Sequence, residues 1–280
     1  MPRILVIGAT GNIGREVVAQ LPAATALVRN PAAARLPGHV TPVAGDLTRP
    51  ETLDAALDGV DSVFLVWTAP PDAFEAALAR IAARARRLVF VSAPLKTPHP
   101  LFQQPNLSRT LTERYERLIE ASGIDWTFLR PGMLASNAVL WWSKPIRAGE
   151  VVRWPYLDVP TAPIHPRDIA AIAVRALSEE SHTGAEYVLT GPEAVTHLQQ
   201  IAAIGDALNR LIPVQELSPE EARTQVFCDW PAPVVNMLMN AWEAAAGQPA
   251  FVSSTVEEIT GRPARSFREW ASDHKQEFGG

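Results

Sequence analysis

A single cysteine, Cys228, stands among 280 residues. That excludes a disulfide framework and a thiolate metal cluster and suits a reducing compartment. The residue itself reads as a small buried hydrophobe. Long runs of one charge are missing too. The 25 basic and 30 acidic residues are scattered and leave a net charge of −5, so no basic stripe offers itself to nucleic acid or to an anionic membrane. No apolar stretch approaches the length needed to cross a bilayer. The first strand is expected within a few residues of the start, so no cleavable leader is expected. Six histidines are dispersed without clustered carboxylates, so no metal site is expected. The expectation is a cytoplasmic protein, monomer or homodimer, with neither a nucleic acid nor a membrane as partner.

What the chain does have is the run Ile4-Leu5-Val6-Ile7-Gly8-Ala9-Thr10-Gly11-Asn12-Ile13-Gly14, followed by an amphipathic stretch from Arg15 to Leu21. A buried strand, a glycine-spaced turn and a helix in that order form a place to hold a dinucleotide pyrophosphate. Gly8 turns the chain out of the strand. Gly11 leaves no side chain between backbone and phosphate, and Gly14 lets the helix lie close on the sheet. The free N–H groups of the first helical turn face the anion. Thr10, Asn12 and Ile13 complete the binding turn.

Beyond this turn, strands and helices alternate. Thr25–Val28 and Val40–Ala44 are short apolar runs that read as buried parallel strands. Helices are expected at Glu51–Leu57, Asp72–Arg84 and Asn106–Ala121, and strands at Ser62–Trp67, Leu88–Ser92 and Trp126–Arg130. The repetition demands a parallel sheet with right-handed crossovers, an α/β doubly wound architecture of Rossmann type. Past Gly132 the regularity decays. Met133–Pro163 is rich in Trp, Pro and turn residues. It is followed by a helix over Asp168–Leu177, a strand over Glu186–Leu189 and helices over Thr196–Leu208 and Pro219–Val226. Residues 1–132 are therefore expected to form the nucleotide-binding domain, with segments around 164–190 returning to it. Residues 133–280 are expected to form a smaller α+β part that supplies a lid and wall over the carboxyl ends of the strands.

Several stretches together match one family. Gly8-Ala9-Thr10-Gly11-Asn12-Ile13-Gly14, Leu27-Val28-Arg29-Asn30-Pro31, Gly45-Asp46-Leu47, Ser122 through Gly132, Asp168-Ile169-Ala170 and Thr260-Gly261-Arg262-Pro263 resemble the NmrA-like branch of the atypical short-chain dehydrogenase/reductases. The resemblance covers nearly the whole chain. It implies an NAD(P)-binding Rossmann fold and one of two functions. Some members are NAD(P)H-dependent reductases of quinones or related acceptors; others are redox-sensing regulators that bind the cofactor and turn nothing over.

Arg29 lies at the end of the second strand, about twenty residues after Gly8, from where a side chain reaches the adenosine ribose. A guanidinium there favours a 2′-phosphate through a charge-assisted contact, so NADP(H) is expected over NAD(H). By the resemblance, Asp46 receives the adenine amino group and Leu47 offers its backbone N–H; alternatively, Asp46 caps the helix after Thr48. Trp67 and Thr68 after strand four, Ser92 after strand five and Pro131 after strand six should border the nicotinamide half. Ser92 is either a donor to a substrate carbonyl or an ordinary strand-ending serine.

The proton-relay Tyr and Lys of the wider superfamily do not carry over. The helix after strand five has no Lys, Thr112 stands at the family's Lys or His position, and Ser108 stands where the Tyr would be. A hydroxyl with a pKa far above 7 is a poor general acid, which leaves Tyr115, Ser92 and Thr112 as the weak catalytic candidates. An electron-poor, aromatic or quinone-like small molecule accepts hydride without such an acid. Trp141, Trp142 and Trp154 are expected to stack against it, or else to pack for stability. His165 and Asp168 invite an acid–base role, with Asp168 as a helix cap the favoured alternative; His99, between prolines, is expected to be exposed. The reading that follows is an NADPH-dependent reductase, with a non-catalytic NADP(H) sensor as the alternative.

Overall fold

A computed structural model describes residues 2–280, which divide into two compact units. The first comprises the described residues up to Ala93, together with Leu107–Pro131 and Pro166–Val188. Its elements are β1 (Ile4–Ile7), α1 (Gly14–Gln20), β2 (Ala24–Val28), β3 (Val40–Ala44), β4 (Ser62–Leu65), α2 (Phe74–Ala82), β5 (Arg87–Val91), α3 (Leu107–Ala121), β6 (Asp125–Pro131), α4 (Pro166–Ser178) and β7 (Ala185–Leu189). The strands form one parallel sheet in the order β3-β2-β1-β4-β5-β6-β7. Strand order therefore reverses between β1 and β4, the switch point where open α/β sheets bind ligands.

The short apolar runs form central strands because helices cover both faces. Leu5, Val63, Leu88 and Phe128 are fully buried on one face, in a core completed by Phe74 and Ile81 of α2 and Ile119 of α3. On the other face α4 packs against α1 and against β4, β5 and β6. The Ser62 hydroxyl donates to the Leu177 carbonyl at 2.9 Å and ties β4 to the end of that helix. β3 departs from the expected buried strand. It lies at the sheet edge with Thr41, Pro42 and Ala44 exposed, and the edge is where a strand tolerates a proline that cannot donate to a ladder. The helix expected at Glu51–Leu57 shrinks to a 3-10 turn at Pro50–Leu53.

The second unit holds 94–106, Gly132–His165 and Leu189–Gly280. It is close to the first in size rather than a smaller appendage, and it includes 94–106, which fall inside the expected nucleotide domain of residues 1–132. Two small two-stranded sheets, Val152–Trp154 with Val214–Glu216 and Pro160–Thr161 with Val195–Thr196, sit among helices. The irregular segment expected from Met133 to Pro163 contains a twelve-residue helix, Asn137–Ala148, which carries Pro145 inside it and ends on Gly149 at φ 70°. Helices at Ala232–Ala245, Thr255–Thr260 and Phe267–Asp273 were not anticipated either. Among the described residues, no helix is long and apolar enough to cross a membrane.

Trp141, Trp142 and Trp154 correct the expected stacking surface. They are 8%, 0% and 1% exposed, in the core of this unit with Trp242 and Phe227. His197, itself fully buried, sits among Trp141, Trp142, Trp154 and Trp242 with ring centroids 5.1–6.4 Å away. Large rings buried this completely contribute roughly 1.5–3 kcal/mol each; their faces are spent on one another. Cys228 is exposed rather than buried, while its neighbour Phe227 turns inward. His99 is buried rather than exposed. Its Nδ1 accepts from the Leu101 amide at 3.2 Å, and Nε2 lies 2.8 Å from the Pro249 carbonyl oxygen.

Candidate functional site

The turn after β1 is built around backbone contacts that only glycine permits. Gly8 sits at φ 93°. The Gly11 amide folds back to donate to the Gly8 carbonyl at 3.0 Å, and the Arg15 amide donates to Gly11 at 3.0 Å. A Cβ on Gly14 would lie 2.0 Å from the Gly8 carbonyl oxygen and 2.9 Å from the Ala9 Cα, so α1 can start this close to the strand only without a side chain there. Among the described residues, the amides of Asn12 and Ile13 donate to no backbone carbonyl, and the Asn12 side of the turn is exposed.

This turn borders a cleft of about 790 Å³ contained within the first unit. Its walls are Gly8 and Thr10 after β1, Leu27 to Asn30 at the end of β2, Gly45 to Thr48 after β3, and Thr68 to Pro70 after β4. Four of the expected cofactor residues from separate chain segments, Gly8, Arg29, Asp46 and Thr68, thus line one space at the switch point. Arg29 is exposed at its rim. The expected helix cap at Asp46 is replaced by a local turn. Its Oδ1 accepts from the Thr48 amide at 2.9 Å and the Thr48 hydroxyl at 2.8 Å, bonding two residues ahead as aspartates in turns do. These two hydrogen bonds, helped by the charges of Arg49 and Arg29, hold its carboxyl below the usual range. Leu47 lines the cleft beside it. A cradle that excludes a Cβ, a cationic rim and a fixed carboxylate fit a dinucleotide carrying phosphate groups.

The three catalytic candidates are otherwise engaged. The Thr112 hydroxyl donates to the Ser108 carbonyl one turn back at 2.8 Å. Tyr115 is buried, stacked on Phe74 at 4.1 Å, and burial pushes its phenol above the ordinary value. Ser92, directly after β5, donates its hydroxyl proton to Glu116 Oε1 at 2.5 Å. Glu116 in turn takes the Arg130 guanidinium in a bidentate pair, Nε to Oε1 at 2.9 Å and Nη2 to Oε2 at 2.7 Å. Arg130 also donates to Glu186 on β7. Burial works against the charge on Arg130, but hydrogen bonds and charge from Glu116 and Glu186 outweigh it and raise its pKa. Sequence reasoning missed Arg130 and Glu186, whose signal was only an arginine near the end of a largely apolar strand.

Trp67 follows β4 and packs, half-buried, edge-on against Phe74 at 4.8 Å, and Pro131 closes β6. His165 is buried with Nε2 3.7 Å from Asp273 Oδ2 in the second unit. Asp168 is buried in the first turn of α4, two residues past the first helical residue, Pro166.

A family model described as NAD(P)H-binding matches residues 8–180. A (4-alkanoyl-5-oxo-2,5-dihydrofuran-3-yl)methyl phosphate reductase of Streptomyces griseus is 40% identical over 285 residues, covering 98% of this chain and 99% of the relative. An NAD(P)H azoreductase of Xenophilus azovorans is 35% identical over 288 residues, with 99% of both chains covered. The crystal structure of an NADPH-dependent quinone oxidoreductase of Escherichia coli superposes with a TM-score of 0.76 at 26% identity, over 96% of this chain and 98% of that one. These reductase relatives support an oxidoreductase. The matched family model spans most of the chain and begins at the glycine turn that borders the cleft, and the protein belongs to the NAD(P)H-binding family.

Proposed function

We propose that the protein is an NADPH-dependent reductase of the NmrA-like type, acting on an electron-poor, aromatic or quinone-like small molecule. The observation that carries this reading is the cleft of the first unit, where Gly8 and Thr10 of the glycine turn, Arg29 and Asp46 meet at the reversal of strand order. The turn's amides would hold the diphosphate, Arg29 would pair with the ribose 2′-phosphate, and Asp46 would receive the adenine amino group. Bound NADPH would supply a hydride from its nicotinamide ring. Thr68, Trp67 and Ser92, which follow strands at their carboxyl ends, and Pro131, which ends β6, would border that ring.

The engagement of Thr112, Tyr115 and Ser92 favours an acceptor that needs no protein acid. Thr112 and Ser92 have committed their protons, and burial makes Tyr115 a weaker acid still. A reduced product whose negative charge is delocalised takes its proton from water, and acceleration then comes from positioning and exclusion of bulk solvent. The reductase names of the two relatives support catalysis over sensing.

The test has two stages. Titration calorimetry with NADPH and NADH is expected to show binding of both, tighter for NADPH. Absorbance at the reduced nicotinamide band, followed with a panel of quinones and azo compounds, is then expected to fall in the presence of at least one acceptor. Tight binding with no oxidation by any member of the panel would overturn the reductase reading and leave a cofactor sensor.

A further inference from the structure

Ser92 carries an inference that its position alone does not give. Its hydroxyl has one proton and two lone pairs, and the proton lies on the 2.5 Å bond to Glu116 Oε1. The direction of that bond is fixed by the other partners of Glu116. Both carboxylate oxygens take guanidinium protons from Arg130, at 2.9 and 2.7 Å, so neither oxygen holds a proton to give back. Arg130 is 1% exposed and also donates to Glu186, and its charge is reinforced by both carboxylates. The guanidinium cannot lose its proton, and Ser92 cannot reverse its hydrogen bond without leaving a carboxylate lone pair unmet.

The Ser92 oxygen, half-buried at the carboxyl end of β5 and fixed to β6 by its amide's 2.7 Å bond to the Leu129 carbonyl, therefore has only lone pairs to offer a ligand. The geometry points to Ser92 as an acceptor-only positioning residue that receives an N–H from the carboxamide of a bound nicotinamide, held in that polarity by the Glu116–Arg130 pair. This deepens the reading proposed above and rests on it. It reverses the donor role expected for a serine at this place: a carbonyl, quinone or azo group has no proton to give Ser92, whereas the carboxamide has two.

The experiment uses a nucleotide altered at that one group. In 3-acetylpyridine adenine dinucleotide phosphate a methyl ketone replaces the carboxamide, which keeps the carbonyl and removes the N–H donors. Binding to the full-length protein is read by titration calorimetry without any acceptor, so turnover plays no part. The wild type is expected to bind NADP+ about five- to tenfold more tightly than the analogue, the worth of one net hydrogen bond. Ser92→Ala is expected to weaken NADP+ by that factor, leave the analogue unchanged and bring the ratio close to one. Ser92→Thr, which keeps a hydroxyl for Glu116, is expected to restore the ratio.

Equal weakening of both nucleotides in Ser92→Ala, or an unchanged ratio, would overturn the assignment of Ser92 while leaving NADPH binding intact. Failure of the wild type to bind NADP+ at all would overturn the proposed function and the Ser92 role together.

Discussion

Lowering the pH from 7 to 5 is expected to destabilise the protein by about 2 kcal/mol through one residue, His197. Its imidazole is completely buried among four tryptophans, and its Nδ1 lies 3.0 Å from the Tyr156 carbonyl. Burial disfavours the charged ring and lowers its pKa from 6.5 to about 4, with the Tyr156 bond opposing only in part. In the unfolded chain the ring titrates at its ordinary value. Above pH 6.5 both states are neutral and stability is unaffected. Between 6.5 and about 4 the unfolded chain binds a proton that the fold refuses, so stability falls as the pH falls and levels off below about 4.

The whole effect is about 3 kcal/mol, from a shift of roughly 2.5 units at 1.36 kcal/mol each, and about two-thirds of it is reached by pH 5. Urea unfolding followed by tryptophan emission suits the measurement, because the ring sits in a tryptophan cluster. His197→Phe keeps an aromatic ring in the box and removes the titration. The difference between wild type and variant in their pH 7 to pH 5 stability loss isolates this one group. Parallel pH dependences for the two proteins would refute the reasoning.

Arg29→Asp is expected to weaken NADPH at least tenfold relative to NADH, from loss of a charge-assisted contact; equal losses by calorimetry would remove Arg29 from the 2′-phosphate. Gly14→Ala places a Cβ 2.0 Å from the Gly8 carbonyl oxygen, so nucleotide affinity and melting temperature should both drop. Wild-type behaviour in both measurements would contradict the close approach. Glu116→Ala removes the bidentate partner of the buried Arg130 guanidinium and leaves it Glu186 alone, and should cost about 1.5–3 kcal/mol in urea unfolding. A loss below about 1 kcal/mol would show that the pair contributes little.

The nucleotide unit was legible because its signals are local. Four apolar residues before Gly8, and apolar runs of strand length thereafter, say where the sheet lies without reference to anything distant. The second unit was legible only where caps announced it. Thr196 with Gln199 and Ser218 with Glu221 form reciprocal capping boxes at helices that were anticipated. Ser266 with Glu269 forms the same box at Phe267–Asp273, a signal present and overlooked. The helix Asn137–Ala148 was hidden by Pro145, which usually breaks a helix but here falls in its last turn.

In the site, residue positions could be counted from the glycine turn, but the direction of a hydrogen bond could not. That Ser92 gives its proton away depends on Arg130, which is 14 residues from Glu116 and on another element. The tryptophans misled for a related reason: aromatic density in a sequence does not say whether the rings face a ligand or each other.

The returning segment Pro166–Val188 carries α4 and most of β7 back to the first unit. During synthesis, then, the Rossmann sheet stays unfinished until Val188 has been added, however early its phosphate turn emerges. Truncating the gene after Gly132 would strip the cover from β4, β5 and β6 and leave Arg130 without Glu186. No single scission liberates a self-sufficient nucleotide half from this polypeptide.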